Sequence, residues 1–186
     1  LEEKFNIAEN DANVKAIVID AAGKSFIAGA DIKFFLDNIK SNTIENNVTF
    51  TEKGHKLFRR FETSEKKTIA IVDGLSLGGG SELALSCQAI IATPQGSFGF
   101  PETGIAIYPG LGGMIRTERH IGKELTKYYV FTGKTSSAQD AYELGIVTKL
   151  VGPTEIEKAI NEVVAEGKVD KYAPKAIPAS YNELVE

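Results

Sequence analysis

Two carboxylates each stand directly behind a break in backbone regularity. Glu82 closes the run Leu77-Gly78-Gly79-Gly80-Ser81-Glu82, and Glu102 follows twenty positions later in Phe98-Gly99-Phe100-Pro101-Glu102-Thr103-Gly104. Successive glycines let a chain turn tightly and leave backbone N–H groups uncovered by any Cβ. At a helix start those donors carry the positive end of the helix dipole, which suits a developing negative charge. Glu82 falls in the first turn of the helix expected there, a position that favours its ionised form and makes it a candidate base. Glu102 sits among Phe98, Phe100 and Ile105, an apolar setting that would raise its pKa in a closed site. One carboxylate kept charged and one pushed toward protonation would divide base from acid. Taken singly, each glutamate also reads as an ordinary helix-initiating residue, Glu102 the more so behind Pro101. A third break, Phe26-Ile27-Ala28-Gly29-Ala30-Asp31, has the same strand, turn, helix character.

A rival chemistry is written over the same glycines. Gly74-Leu75-Ser76-Leu77-Gly78 matches G-x-S-x-G behind a strand, the nucleophile-elbow pattern of serine hydrolases. The order nucleophile, acid, base leaves only His120 downstream, with Glu102 or Glu118 between. In a chain with two histidines so short a pattern ranks well below the carboxylate pair. His55 and His120 lack metal-ligand spacing. Cys87 is the single cysteine, so neither an internal disulfide nor a CxxC site exists, and a reducing compartment is expected. The glycines match neither the dinucleotide fingerprint nor a P-loop. The expectation is an enzyme without metal or tightly held organic cofactor.

The elements that must hold these residues alternate in type. Residues 14–20 and 68–73 are β-branched runs that read as buried strands, with further short strands at 89–93, 97–100 and 146–151. Helical spacing marks residues 1–9, 32–39 (capped by Asp31), 50–61, 81–89, 114–121, 125–131, 137–144 and 156–164. Between positions 40 and 47 the composition turns polar and Asn-rich, which predicts a surface loop. Beyond Gly167, Pro174 and Pro178 among charges and small residues predict an extended or mobile tail. Alternating strands and helices in 186 residues predict one α/β domain. A core over residues 1–152 is followed by a C-terminal helix and tail over 153–186. A net charge of −4 argues against nucleic acid, and no apolar run approaches the roughly 20 residues that span a bilayer. A cytosolic protein is expected.

In chain order these segments resemble the crotonase superfamily, the enoyl-CoA hydratase/isomerase group. The correspondence runs through 26–32, Ile71-Val72-Asp73-Gly74 to Glu82-Leu83-Ala84, then 98–102. It continues in Pro109-Gly110-Leu111-Gly112-Gly113 and from Thr132-Gly133 through Ala138-Gln139-Asp140-Ala141 to Gly145-Ile146-Val147. The resemblance implies a spiral of ββα units rather than a doubly wound sheet, truncated here at both ends. It implies an acyl-CoA thioester substrate, coenzyme A entering only as part of that substrate. The thioester oxygen would meet an oxyanion hole built from the backbone N–H groups of Ala30 and Gly79. Preorganised donors of that kind are worth about 10²–10³ in rate each. Glu82 would activate water toward Cβ, Glu102 would deliver the proton to Cα, and the Gly110 N–H would place the water. Ala28, Asp31, Ile32 and Lys33 would line the coenzyme A region.

The activity so implied is reversible hydration of trans-2-enoyl-CoA to 3-hydroxyacyl-CoA. The alternatives are double-bond isomerisation, the serine hydrolase using Ser76, and a non-catalytic acyl-CoA-binding fragment. Family members assemble as trimers or hexamers, and similar segments occur fused to a 3-hydroxyacyl-CoA dehydrogenase domain. Leu1 is not a start methionine and the chain opens within a helix, so a piece of a longer protein is expected.

Overall fold

The computed structural model describes residues 1–167, 169–173 and 175–185. The chain opens with α1 (Glu2–Asn10), then β1 (Ala16–Ile19) and β2 (Ser25–Ile27), then α2 (Ile32–Lys40) and α3 (Glu45–Thr63). A second strand pair, β3 (Lys67–Val72) and β4 (Leu75–Leu77), leads into α4 (Gly79–Ser86). A third pair, β5 (Ala89–Ala92) and β6 (Ser97–Gly99), leads through a 3₁₀ turn (Pro101–Ile105) into α5 (Gly113–Thr132). The remainder is β7 (Thr135–Ser137), α6 (Ala138–Glu143), β8 (Lys149–Leu150), α7 (Ile156–Ala165) and a 3₁₀ turn (Ala179–Leu184). Each of the first three pairs gives one strand to each of two sheets, ordered β1-β3-β5-β8 and β2-β4-β6-β7. Every ladder is parallel except β6 with β7. This is the expected winding of ββα units.

The central strands carry unbroken apolar runs, residues 69–72 and 89–92, because both faces of their sheet are covered there. Alternation along β3 shows it: Ile69 and Ile71 pack with Ala89, Ile91 and the α7 residues Ala159 and Val163, whereas Ala70 and Val72 join the main core around Phe58 and Phe61. Cys87 lies in that main core, 1% exposed.

Helix α4 is buried from Gly80 to Ser86. Its first turn is wedged between strands from both sides. A Cβ at Gly80 would stand 2.1 Å from the Ile27 carbonyl oxygen of β2. The Ser81 hydroxyl donates to the Ser76 carbonyl at 2.5 Å and accepts from the Gly99 N–H at 3.2 Å. Gly80 therefore allows helix and strand backbones to meet, and this contact brings the glycine triplet beside residues 28–30.

Four expectations are corrected. The Asn-rich stretch is no open loop, since α3 begins at Glu45 and the buried Asn38 amide donates to Asn47 Oδ1 at 2.7 Å while Thr43 and Asn46 donate to Asn38 Oδ1. Side-chain amides satisfying one another let a polar segment fold tightly there. Residues 135–137 form β7 against β6 as well as capping α6, where Ser137 and Asp140 make a reciprocal capping box. The strand expected over 146–151 contracts to Lys149–Leu150. The tail docks: the Lys171 ammonium donates to the carbonyls of Leu85 and Cys87, and the buried Tyr181 hydroxyl donates to Asp140 and Glu143. Pro174 lies outside the described residues. Among the described residues no helix is long and apolar enough to cross a membrane.

Gly80→Ala should cost about 3 kcal/mol, the upper part of the overpacking range, because the clash is with backbone and no rotamer relieves it. Urea unfolding of the variant against the parent measures it.

Candidate active site

A cleft of about 800 Å³ opens where α4 begins. Glu82, Glu102, Ala30, Gly79 and Gly110 all line it, with Ile32, Phe35, Phe50 and Ile105 supplying apolar wall. Five residues singled out from three distant stretches of sequence thus meet in one cavity.

Glu82 is 2% exposed. Its Oε1 accepts the Leu111 N–H at 2.6 Å and the Gly113 N–H at 2.9 Å. The loop reaches it because Gly112 turns at φ +92°, a conformation that costs glycine little. Gly113 has no space for a side chain, since a Cβ there would lie 2.6 Å from the Phe100 ring and 2.8 Å from Glu82 Cγ. Burial pushes the Glu82 carboxyl above its usual range, and the two N–H donors with the Arg116 charge pull it partly back. The expectation for Glu82 is therefore corrected in two respects. Its donors come from the 110–113 loop rather than from its own helix, and its pKa is raised rather than lowered.

Glu102 is half-buried in the 3₁₀ turn beyond β6. It lies over the glycine triplet, for a Cβ at Gly78 would stand 2.6 Å from Glu102 Oε1. Burial raises its pKa, its own backbone N–H opposes that, and the Glu82 charge adds to it. Both carboxyls are thus biased toward holding a proton, and each like charge disfavours the other. Glu102 Oε2 is buried without a hydrogen-bond partner among the described residues. Gly79 opens α4, where first-turn N–H groups have no intrahelical acceptor. A Cβ on Gly79 would stand 3.9 Å from the Ala30 nitrogen, so the two backbones approach closely at this point.

The remaining sequence candidates divide. Ala28 and Ile32 line the cleft. Asp31 instead caps α2, its Oδ1 accepting the Lys33 N–H at 2.9 Å. The Lys33 ammonium pairs with Asp37 at 2.9 Å on a side chain 81% exposed. Neither Asp31 nor Lys33 is part of the cleft wall. Ser76 is fully buried in β4, and its hydroxyl has no partner among the described residues, so no histidine activates it. His120 is held against the Tyr172 ring at 4.8 Å, and burial with the nearby Lys171 charge pushes its imidazole down to about 4. His55 is exposed on α3. The nucleophile-elbow reading ends there. Among the described residues no three His, Cys, Asp or Glu side chains cluster as a metal site would require.

Sequence reasoning passed over Leu111, Gly113 and Arg116. The first two hold Glu82 through main-chain atoms, so side-chain identity gives no sign of them.

The chain is similar to known proteins along most of its length. Residues 1–180 match the enoyl-CoA hydratase/isomerase family. The chain is 42% identical over 173 residues to the short-chain-enoyl-CoA hydratase of Clostridium acetobutylicum, covering 92% of this chain and 64% of that protein. It is 35% identical over 181 residues to the crotonyl-CoA hydratase of Syntrophomonas wolfei, covering 95% of this chain and 68% of that one. The crystal structure of enoyl-CoA hydratase from Thermoplasma volcanium superposes with a TM-score of 0.79 at 33% identity, covering 91% of this chain and 66% of the other. The chain thus spans a little under two thirds of the Clostridium relative.

A raised native pKa at Glu82 means that stability falls as pH climbs through it, because the buried carboxyl must then charge. Glu82→Gln keeps an oxygen for both N–H donors and removes that cost. Its melting temperature should exceed that of the parent at pH 7, and the gap should narrow below the ordinary carboxylate range. Thermal unfolding at several pH values checks the sign.

Proposed function

We propose that this chain, which belongs to the enoyl-CoA hydratase/isomerase family, adds water across the double bond of a trans-2-enoyl-CoA to give the 3-hydroxyacyl-CoA, reversibly. The observation that carries the reading is the shared cleft, lined by two proton-biased carboxyls and by the Ala30 and Gly79 backbones.

Placed there, the thioester oxygen would accept the Ala30 and Gly79 N–H groups, which stabilise the enolate-like charge as it develops. Glu82 as carboxylate takes a proton from water while the water oxygen bonds to Cβ. Glu102 as carboxylic acid gives its proton to Cα. One water is added in total, and a proton passing from Glu82 to Glu102 restores both groups. The mutual repulsion of the two charges suits such a single shared proton. The unpartnered Glu102 Oε2 suits a group that serves substrate or water, since an orphaned buried oxygen is otherwise costly. Gly110, on the cleft wall, would aim the water with its N–H. Ala28 and Ile32 would receive the coenzyme A portion, with Asp31 and Lys33 at its rim. Possession of both glutamates favours hydration over isomerisation, which asks mainly for the second. No metal or organic cofactor enters these steps. Assembly as a homo-trimer or hexamer, and fusion to a 3-hydroxyacyl-CoA dehydrogenase domain, belong to the same reading, and light scattering on the full-length protein addresses the first.

Loss of crotonyl-CoA absorbance follows the reaction directly. Glu82→Gln and Glu102→Gln should each slow it by roughly 10²–10⁴, and Ser76→Ala should leave it unchanged. Near-normal turnover in either glutamine variant removes that residue from the mechanism, and coenzyme A thioester binding without turnover in the parent favours the non-catalytic fragment.

The rate should also trace a bell against pH. It rises as Glu82 ionises and falls as Glu102 loses its proton, with the acid limb above the ordinary carboxylate range because burial raises Glu82. An acid limb at the ordinary glutamate value contradicts this.

A further inference from the structure

Arg116 is 7% exposed in the first turn of α5 and lies behind the loop that holds Glu82. Its Nη1 donates to the Leu111 carbonyl at 2.9 Å, and the same nitrogen would lie 2.5 Å from a Cβ at Gly112. Its Nη2 stands 3.5 Å from Glu62 Oε2. Leu111 is therefore engaged at both ends, its N–H by the Glu82 carboxylate and its C=O by the guanidinium.

We infer that Arg116 is a positioning residue for Glu82: it fixes the 110–113 loop, and through that loop the orientation of the Glu82 carboxylate, without touching substrate. The inference rests on the reading of Glu82 given under the proposed function.

The plainer alternative makes Arg116 a structural counter-ion for the partly buried Glu62. The surroundings of Glu62 weaken it. That carboxylate also takes the Tyr172 hydroxyl at 2.6 Å and has Arg59, Arg119 and Lys171 at 3.5, 3.6 and 3.7 Å. Glu62 is well neutralised without Arg116. Among the described residues Arg116 in turn leaves its own Nε buried and unpartnered, a cost that a simple ion pair would not need to accept. Glu62 anchors one prong of a rigid fork, and the other prong is spent on the loop carbonyl. A lysine could not reproduce this, having one nitrogen where the fork has two.

The inference fixes what each substitution should do. A carboxylate misplaced by about an ångström loses on the order of 10² in rate while substrate binding, made elsewhere in the cleft, is kept. Arg116→Met should therefore lower kcat by roughly 10- to 100-fold with KM within about 2-fold. In a Glu82→Gln background the same substitution should cost less than about 3-fold, because the group it positions is already gone.

The experiment is this double-mutant cycle on crotonyl-CoA hydration by the full chain, with thermal melts to establish folding. Equal losses in both backgrounds, or a raised KM with kcat intact, overturn the inference and leave the proposed function standing. Undiminished turnover in Glu82→Gln overturns both. If Arg116→Met does not fold, the cycle is run with Arg116→Lys and judged by the same two criteria.

Discussion

A carboxylate that is 2% exposed keeps its place because two backbone N–H groups converge on one of its oxygens. That convergence governs much of the architecture around it. Glu82 can be so deep only if α4 enters the core by its N-terminus, and α4 can do so only where Gly80 lets it press against the Ile27 carbonyl. The Leu111 and Gly113 amides can reach Glu82 only if the chain doubles back between the 3₁₀ turn and α5, through Gly112 in its left-handed conformation. The glycines on both sides of the glutamate are thus two halves of one fit. One set admits the side chain and the other closes over it.

The second layer of support is ionic and begins a helix away. Glu62 near the end of α3 gathers Arg59, Arg116, Arg119, Lys171 and the Tyr172 hydroxyl, which tie α3, α5 and the C-terminal segment together. Burial works against its charge, but the Tyr172 hydrogen bond and the Lys171, Arg116 and Arg119 charges win, and its pKa falls below the usual range. Burial likewise lowers Lys171 to about 8, although the Glu62 charge opposes this. Arg116 is the buried member of the cluster and Glu62 and Lys171 are partly buried, while Arg59 and Arg119 reach it from solvent. None of these residues lines the cleft; the cluster reaches it through the hydrogen bond from Arg116 to the Leu111 carbonyl.

Much of this was legible in the residues, and the gaps have physical causes. β3 and β5 showed themselves because a sheet covered on both faces demands unbroken apolar runs. Glu82 and Glu102 stood out because each follows a strand end where backbone irregularity is written in glycine or proline, whereas Gly79 and Ala30 came from the family resemblance alone; all four line one cleft. β7 went unseen because three residues of Thr and Ser satisfy their ladder with main-chain atoms and carry no apolar pattern. The same holds for the donors to Glu82, since any residue but proline could offer the N–H that Leu111 supplies. Tail docking through Lys171 and Tyr181 was hidden because a charged or polar residue signals solvent unless its distant partner is known. Lys33 shows the reverse: its pairing with Asp37 was open to view, because residues four apart on one helix are neighbours.

Cys87 has no part in the chemistry, yet its setting gives the molecule a built-in reporter. Burial pushes its thiol up to about 12, so almost no thiolate exists at neutral pH for an electrophile or peroxide to find. It lies in the main apolar core between α4 and β5, beneath the docked Lys171, and not on the cleft. Cys87 also lines a small cavity roofed by the C-terminal segment around Lys171, so alkylation of this one sulfur waits on release of that segment or on opening of the core, and its labelling rate counts those events together. Breathing of the cleft mouth, where ligands would come and go, leaves the label unmoved.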